Sequence, residues 1–393
     1  MTADKKRQKW TTILIISAVF AVISIVVLLS GIISRKVSQP DPTEPPIPTE
    51  PPVYAIMDDF DAKVSDDISA AYDAAYNVKK TFWIEETADV APKPNESCYG
   101  ESTDISSLQW LLDDAAELLD GQETVFSTDI EILPGSTVTY YLDDSIFAVT
   151  WQQVIDNYAY TFSEVKISHP SQFRRYLAGN EYDSDYSHPV SRMGNYANAV
   201  MASSADFYRG RNHGIIVYQG QVMRTNYSDL VDTCFIDKNG DLIFVPAGEL
   251  IGMEAAQAFV DEHNIDFSLA FGPILVEDGV RCEPDMYYLG EINDKYPRVA
   301  LCQKDTLHYI VVAANAKQGY FKSITIHTFA ENIAKLNCEK AYALDGGKTG
   351  TIAMHGKALN PLQENHEKWI SDIIYFATAI PSTDSEATEP TQP

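Results

Sequence analysis

The stretch Asp345-Gly346-Gly347 directly follows four residues, 341–344, that read as a short apolar strand. Two glycines at a strand end are typical of a tight hairpin, or of a place where another group closely approaches the backbone. Successive N–H groups in such a turn can bind an anion, and Lys348 and Thr349 would add donors. These residues alone favour the hairpin, and the phosphate-binding turn is the alternative.

A second aspartate, Asp206, also follows an apolar run, in the stretch MASSADFYRGRNHG (201–214). An aspartate at a strand exit, followed by an arginine-rich loop, is a candidate catalytic carboxylate, because binding and catalytic residues concentrate on loops held by a rigid scaffold. The alternative is an aspartate in an ordinary surface turn. Composition does not separate the two.

Asp237, Asn239 and Asp241 place oxygen-bearing side chains at alternate positions, as in a calcium-binding loop. An EF-hand requires glycine sixth and glutamate twelfth, where this chain has Leu242 and Gly248. An Asn-Gly dipeptide between two β-rich runs is instead typical of a hairpin turn. We therefore expect a turn here.

The five cysteines form no CxxC pair, and the eight histidines show no HxH or HExxH spacing. We therefore expect no metal and no cofactor. Two disulfides remain an alternative to buried reduced cysteines, and the odd count leaves at least one thiol unpaired within a single chain.

The chain carries 29 Lys and Arg against 56 Asp and Glu, a net charge of −27. A nucleic-acid partner is therefore not expected, because phosphate backbones require a cationic surface.

Residues 11–33 contain no charged residue and are long enough to cross a bilayer as a helix. Four cations precede them in residues 1–10 and two follow, so the positive-inside rule places the tail 1–10 in the cytoplasm and the rest of the chain outside. The apolar run exceeds that of a cleavable signal peptide. The sequence predicts a single-pass membrane protein with an extracellular C-terminal domain.

The region 34–53 is rich in proline and predicts a stiff extended linker. Apolar residues then recur at helical spacing, and we interpret 54–121 as a helical stalk with a second helix at 104–120. The two helices either pack on each other or on the main domain, or form a dimer through residues 54–120. The tail 381–393 is polar and acidic and is predicted to be disordered.

Residues 122–380 alternate between short β-rich runs and turn residues, interrupted by three predicted helices near 170–178, 252–264 and 325–337. Because strands outnumber helices several-fold, a βαβ repeat is excluded. The sequence predicts an α+β fold, a mixed β-sheet domain with a few packed helices.

Five segments, in order, resemble the phosphodiester glycosidase family, whose bacterial members include membrane-anchored proteins. They are SQFRRYL (171–177), NAVMASSADFYRGRNHGIIVYQGQVMR (198–224), FGPILVEDG (271–279), PRVAL (297–301) and SITIHTFAENIAKLNCEKAYALDGGKTGTIAM (323–354), which is followed by Asn360-Pro361 and SDIIYFA. The resemblance covers roughly residues 124–380. It implies hydrolysis of a sugar–phosphate diester, here in a glycan of the cell envelope.

The resemblance also implies the roles of individual residues. Asp345 and Asp206 would be the catalytic carboxylates. The residues that would bind substrate and phosphate are Arg298, Gly346, Gly347, Lys348, Thr349 and Asn360.

Several positions depart from the family pattern. Ser204-Ala205 stands where the family has Asn-Gly, and Ala313 and Asn315 replace an aspartate and an arginine. A lost arginine clamp costs roughly 10²–10³ in rate. Two hypotheses therefore stay open: an active hydrolase, or a degenerate relative that binds envelope polysaccharide or serves as a structural partner.

Overall fold

The computed structural model describes residues 82–85, 88, 90–283, 294–314 and 323–382. The chain divides into a unit of residues 1–74, which lies outside the described residues, and a unit of residues 75–393. The predicted cytoplasmic tail, membrane helix and proline-rich linker lie outside the described residues, as do residues 54–81 of the predicted stalk and residues 383–393 of the tail predicted to be disordered. Within the described residues, no helix is long and apolar enough to span a bilayer.

The largest sheet of the described residues has nine strands, and all of its pairings are antiparallel. In spatial order the strands are β1 (Tyr99–Ser102), β2 (Val138–Asp143), β3 (Ile146–Ile155), β4 (Tyr158–Ile167), β15 (His308–Ala314), β14 (Arg298–Asp305), β16 (Lys340–Leu344), β12 (Ile274–Glu277) and β13 (Val280–Arg281).

Both faces of this sheet are buried at its centre. Along β14, Val299 and Leu301 belong to one hydrophobic cluster, whereas Ala300 and Cys302 belong to another on the opposite face. Strands covered on both sides read as continuous apolar runs, which explains the sequence of β15, HYIVVAA.

Three smaller antiparallel sheets complete the described β structure. The five-stranded sheet has the order β18 (Lys357–Ala358), β17 (Ile352–Met354), β6 (Met201–Ser204), β19 (Asp372–Phe376) and β5 (Phe173–Leu177). The other two consist of β10 (Leu242–Val245), β9 (Thr233–Asp237) and β11 (Ile265–Leu269), and of β7 (Gly214–Tyr218) paired with β8 (Gln221–Asn226).

Four α-helices of the described residues accompany the sheets: α1 (Gln109–Leu119), α2 (Val190–Ala197), α3 (Met253–His263) and α4 (Ile326–Ala334). α1 and α4 pack on the same face of the large sheet, where Leu111, Ala115 and Leu118 join Phe329 in one hydrophobic cluster. The result is a mixed, sheet-dominated α+β domain, as the sequence predicts.

The position of α1 changes the predicted domain boundary. The sequence pattern predicts that residues 104–120 belong to a stalk, but the apolar side of α1 is buried against the large sheet. The Glu164 carboxylate of β4 also accepts hydrogen bonds from the N–H groups of Val125 (2.7 Å) and Phe126 (2.8 Å). The folded domain therefore includes α1 and begins before residue 122.

One predicted helix is wrong. Residues 170–178 contain strand β5 between two short 3₁₀ turns, and Phe173, Arg175 and Leu177 alternate as its buried residues. The predicted helices near 252–264 and 325–337 are confirmed as α3 and α4.

The predicted turn between β9 and β10 is also confirmed, because Asp237 Oδ1 accepts hydrogen bonds from the N–H groups of Asn239 (2.9 Å) and Asp241 (2.8 Å).

Candidate functional site

Asp345 lies where the large sheet meets the five-stranded sheet. It follows β16, and its N–H donates to the carbonyl oxygen of Ala205, just after β6 (2.8 Å). Its carbonyl oxygen accepts a hydrogen bond from Ser204 Oγ (2.8 Å). These bonds place the two candidate catalytic aspartates, Asp345 and Asp206, on adjoining segments of backbone.

The Gly346-Gly347 turn packs tightly on the residues that lead into β14. A Cβ on Gly346 would lie 2.5 Å from the carbonyl oxygen of Pro297, so only glycine fits without a shift of the backbone. Gly347 has φ of 61° and donates its N–H to the same carbonyl oxygen (2.8 Å). The close approach to the backbone is thus present. The hairpin that these residues taken alone favour is wrong, because the strands before and after the turn, β16 and β17, belong to different sheets. An anion nest that uses the Gly347 N–H is not formed, because Pro297 accepts that hydrogen bond.

A pocket of about 210 Å³ opens beside this turn; we call it the Asp345 pocket. Two arginines, Arg211 and Arg298, line it together with Asp345, Gly346 and Gly347. The rings of the lining belong to Phe207, Phe271 and Tyr296. Of the described residues in the lining, Asp345 is the only acid.

The two guanidinium groups lie against aromatic rings. Arg211 Cζ is 4.1 Å from the ring centroid of Phe271, and Arg298 Cζ is 5.5 Å from that of Tyr296. Arg298 also donates from Nη2 to the carbonyl oxygen of Asp294 (2.8 Å). Arginine forks held in this way suit a phosphate, which they can bind through two parallel hydrogen bonds.

Asp206 is fully buried behind the Asp345 pocket and does not line it. Its Oδ1 accepts hydrogen bonds from Arg175 Nη2 (2.7 Å) and the Tyr208 N–H (3.1 Å), and its Oδ2 accepts one from the Ala270 N–H (2.9 Å). Tyr208 adjoins Phe207, and Ala270 adjoins Phe271. The Asp206 carboxylate thus fixes the two segments that bring Phe207 and Phe271 to the pocket.

Arg175 shares its charge between two buried carboxylates, since its Nη2 also lies 2.7 Å from Asp372 Oδ2. Burial raises the pKa of Asp372 to about 7, with Arg175 acting to lower it and the neighbouring Asp206 acting to raise it. Buried ion pairs with additional hydrogen bonds are often retained because they fix one arrangement of the chain.

The remaining predicted binding residues are engaged elsewhere. Lys348 Nζ lies 2.5 Å from Glu364 Oε1, and Thr349 Oγ1 donates to the carbonyl oxygen of Gly346 (2.6 Å). Asn360 is buried and holds the segment that follows the turn, accepting from the Ile352 N–H (2.7 Å) and donating to the carbonyl oxygen of Gly350 (3.0 Å). None of these three side chains lines the Asp345 pocket.

The structure thus brings together four of the predicted site residues at the pocket: Asp345, Gly346, Gly347 and Arg298. Of the replaced family positions, Ser204 contacts the Asp345 backbone, and Ala313 pairs with Val299, which lines the pocket. Asn315 lies outside the described residues.

Sequence reasoning missed Arg211 and the three aromatic rings. Arg211 and Phe207 fall inside the stretch noted around Asp206, but nothing in their spacing shows that they face Asp345. Phe207 has φ of 58°, a left-handed conformation that is uncommon for an aromatic residue. This local backbone conformation, invisible in the sequence, directs the loop toward the pocket.

The described residues contain no group of three or more His, Cys, Asp or Glu side chains that could hold a metal ion. All five cysteines are free thiols in this structure.

The fold and the pocket define a sheet-dominated domain with a small arginine-lined site at the junction of two sheets. Residues 197–377 match the family model described as phosphodiester glycosidase. The resemblance seen in the sequence is thereby confirmed, and the chain contains a phosphodiester glycosidase-like domain.

A curated relative, the SPbeta prophage-derived uncharacterized protein YomE of Bacillus subtilis, is 26% identical over 118 residues. The match covers 30% of this chain and 18% of the relative, so this chain spans less than a fifth of that protein.

Two solved structures are similar at 14% identity. One is a hypothetical protein from Synechocystis, with a TM-score of 0.43 over 63% of this chain and 64% of that one. The other is the zebrafish N-acetylglucosamine-1-phosphodiester alpha-N-acetylglucosaminidase catalytic domain auto-inhibited by its pro-peptide, with a TM-score of 0.47 over 59% of this chain and 82% of that one.

Proposed function

We propose that this domain hydrolyses glycosyl phosphodiesters. The observation that carries the proposal is that one acid, Asp345, and two arginines, Arg211 and Arg298, line a single pocket. A carboxylate suits the positive charge that develops at the anomeric carbon, and guanidinium groups suit the phosphate that departs. The aromatic rings of the lining provide apolar faces for the sugar.

In the proposed reaction, the bond between the anomeric carbon and the phosphate oxygen breaks, and the bonding electrons leave with the phosphate. Asp345 stabilises the oxocarbenium-like centre or takes a proton from the attacking water. Arg211 and Arg298 stabilise the departing phosphate monoester. Phosphate leaves readily as an anion, so a second carboxyl group acting as a general acid is less necessary.

The test is release of N-acetylglucosamine from UDP-N-acetylglucosamine and from a panel of other sugar phosphodiesters by the purified full chain. We expect Asp345→Asn to abolish release while the melting temperature changes little. Asp278→Asn is the matched control, since it makes the same chemical change in an exposed turn and should retain full activity. Equal turnover by wild type and Asp345→Asn would disprove the role of Asp345.

A binding function without turnover is the second candidate, and it has its own support. The Gly347 N–H and the Lys348 ammonium, which the family resemblance directs to phosphate, contact Pro297 and Glu364 instead. If wild type turns over no diester of the panel but binds envelope polysaccharide, and Arg298→Ala weakens that binding, the binding function is correct.

We further propose that residues 11–33 anchor the chain in a membrane with the domain outside, where a cell-envelope glycan would be the substrate. The charge-free run and the cations that precede it support this topology. Protease added to intact cells should release the domain by cutting within residues 34–53. Complete protection of the domain in intact cells, with cleavage after lysis, would contradict this orientation.

A further inference from the structure

A second pocket of about 510 Å³ lies on the other side of the loop that lines the Asp345 pocket. We call it the Arg209 pocket, after one of the polar residues of its lining, which also include Asp183, Asn212, Arg224 and Asn226. The charged residues of the lining are Asp183, Arg209 and Arg224, and the Asp185 carboxylate lies 3.9 Å from Arg209 Nη2 just outside it. Because the Asp185 side chain is fully exposed and such surface pairs are weak, the Arg209 guanidinium can exchange this carboxylate for an anionic ligand.

The two pockets share one loop, residues 207–213. Phe207 and Arg211 line the Asp345 pocket, whereas Arg209 and Asn212 line the Arg209 pocket. A ligand bound in one pocket therefore lies next to the other pocket. The larger groove beside Trp83 receives no residue of the loop.

Arg224 fixes the loop between the two pockets. Its guanidinium donates to three backbone carbonyl oxygens of the loop, those of Tyr208 (2.7 Å), Arg211 (3.1 Å) and His213 (3.0 Å). Because all three acceptors are backbone atoms, the loop has a defined shape without a ligand. The Arg209 pocket is thus a formed feature of the domain.

The volume of the Asp345 pocket is too small to enclose both sides of a phosphodiester. Pockets that enclose a drug-sized ligand measure roughly 300–1,000 Å³. The Asp345 pocket, at about 210 Å³, has room for the sugar ring and little more, whereas a phosphodiester also carries the group on the far side of the phosphate.

We propose that the Arg209 pocket binds this second group, and that it takes a hydroxyl-rich unit bearing a further phosphate, such as the next polyol or sugar phosphate of a polymer. The inference rests on the proposed function for the position of the sugar, and on the Arg209 pocket itself for the second unit. Arg209, whose Nη1 donates to the Tyr186 carbonyl oxygen (2.7 Å), would exchange the Asp185 carboxylate for the additional phosphate. The amides of Asn212 and Asn226, which contact each other at 2.8 Å, would bind hydroxyl groups.

Two exposed methionines provide a direct readout, because Met223 and Met253 both line the Arg209 pocket. In the full chain labelled with ¹³C-methyl methionine, titration with glycerol 1-phosphate should shift the methyl resonances of these two residues, assigned from Met223→Leu and Met253→Leu. We expect Arg209→Gln to weaken this binding about tenfold, the effect of losing one charged hydrogen-bonding partner. Arg192→Gln, which removes an arginine outside the pocket, should leave it unchanged.

Asp345→Asn should retain the methionine shifts, since it alters only the neighbouring pocket. Shifts of Met223 and Met253 without turnover of any diester would support the second binding site and contradict hydrolysis. Turnover without these shifts, or shifts unaffected by Arg209→Gln, would overturn the second site and leave hydrolysis standing. In an active protein, Arg209→Gln should raise KM only for diesters that carry the second phosphate.

Discussion

Asp206 and Asp345 both follow a strand at the junction of two sheets, but their different surroundings suit them to different roles. The Asp206 carboxylate accepts three hydrogen bonds and is sealed from solvent, so no substrate atom reaches it in this structure. Asp345 lines an open pocket with two arginines. The geometry therefore favours Asp345 as the reacting carboxylate, with Asp206 as a residue that positions the loops around it.

Gly346 has no room for a side chain, because backbone atoms of Pro297 and Arg298 lie directly against it. We expect Gly346→Ala to destabilise the domain by about 1–3 kcal/mol, the usual cost of forcing extra volume into a packed site, because the new Cβ would lie 2.5 Å from the Pro297 carbonyl oxygen. Activity should fall as well, since Asp345 and Arg298 flank the contact. Thermal unfolding and diester hydrolysis would measure the two effects.

Gly194→Ala is a suitable control for this substitution. In helix α2 the nearest atom to a Cβ on Gly194 is the Ala202 Cβ, at 3.4 Å, and alanine is the better helix former. Its melting temperature should stay unchanged or rise. If Gly346→Ala were equally stable, the close approach of the turn to Pro297 would not be a real constraint.

At the scale of elements, the strands buried on both faces were predictable because their apolar runs are continuous. β5 was not predictable in the same way. Its buried positions alternate as Phe173, Arg175 and Leu177, and the arginine in the middle conceals the period of two. Helix α2 was missed because it spans only eight residues and contains Gly194.

Arg175 also explains why only part of the candidate site could be predicted from the sequence. Asp345, Gly346 and Arg298 lie at strand ends, where the sequence pattern and the family resemblance both point. The loops that carry Arg211, Phe207 and Phe271 are fixed through long-range contacts, by the Arg175–Asp206–Asp372 cluster and by the Arg224 guanidinium. No local pattern encodes these contacts, so this half of the site required the structure.

The Asp372 carboxyl should make the stability of the domain pH-dependent. Its pKa is about 7 in the folded protein, against about 3.9 for an exposed aspartate. The folded chain thus binds the proton of the Asp372 carboxyl more tightly than the unfolded chain does. The contribution of this proton to the free energy of unfolding is complete below pH 4 and is lost as the pH rises through 7. Between pH 8 and 6 we expect wild type to gain about 1 kcal/mol relative to Asp372→Asn, or about 2–4 °C in melting temperature.

Calorimetry of both proteins at several pH values would measure this difference. Comparison with the variant is needed because burial lowers the pKa values of His169 and His188, whose protonation opposes folding as the pH falls below about 6.5. Those contributions are common to both proteins and cancel. Parallel curves for wild type and Asp372→Asn from pH 8 to 6 would show that the Asp372 carboxyl stays ionised throughout.

At the scale of the whole molecule, the described structure extends the domain toward the N-terminus. The sequence pattern predicts a boundary between stalk and domain at residues 121 and 122, but the buried side of α1 completes the cover of the large sheet. Ile84 and Ala91 likewise join the hydrophobic cluster beside the five-stranded sheet. The separation was reasonable from sequence, because an amphipathic helix shows that it has a partner without showing which one.

We therefore expect a chain that begins at residue 122 not to fold. It would lack Leu111, Leu118 and Leu119, each of which contributes about 1.5–3 kcal/mol when buried, and their sum is comparable to the roughly 5–15 kcal/mol that stabilises a typical domain. A chain that begins at residue 82 keeps α1, Ile84 and Ala91, and should unfold in one cooperative transition. Calorimetry and size-exclusion chromatography of both truncated chains would test this.

In the longer chain, Leu111→Ala should lower stability by about 2–5 kcal/mol, whereas Leu112→Ala, at a less buried position of the same helix, should have a smaller effect. If the chain from residue 122 were monomeric and melted at the same temperature as the longer one, α1 would be dispensable and the predicted boundary at residue 122 would be correct.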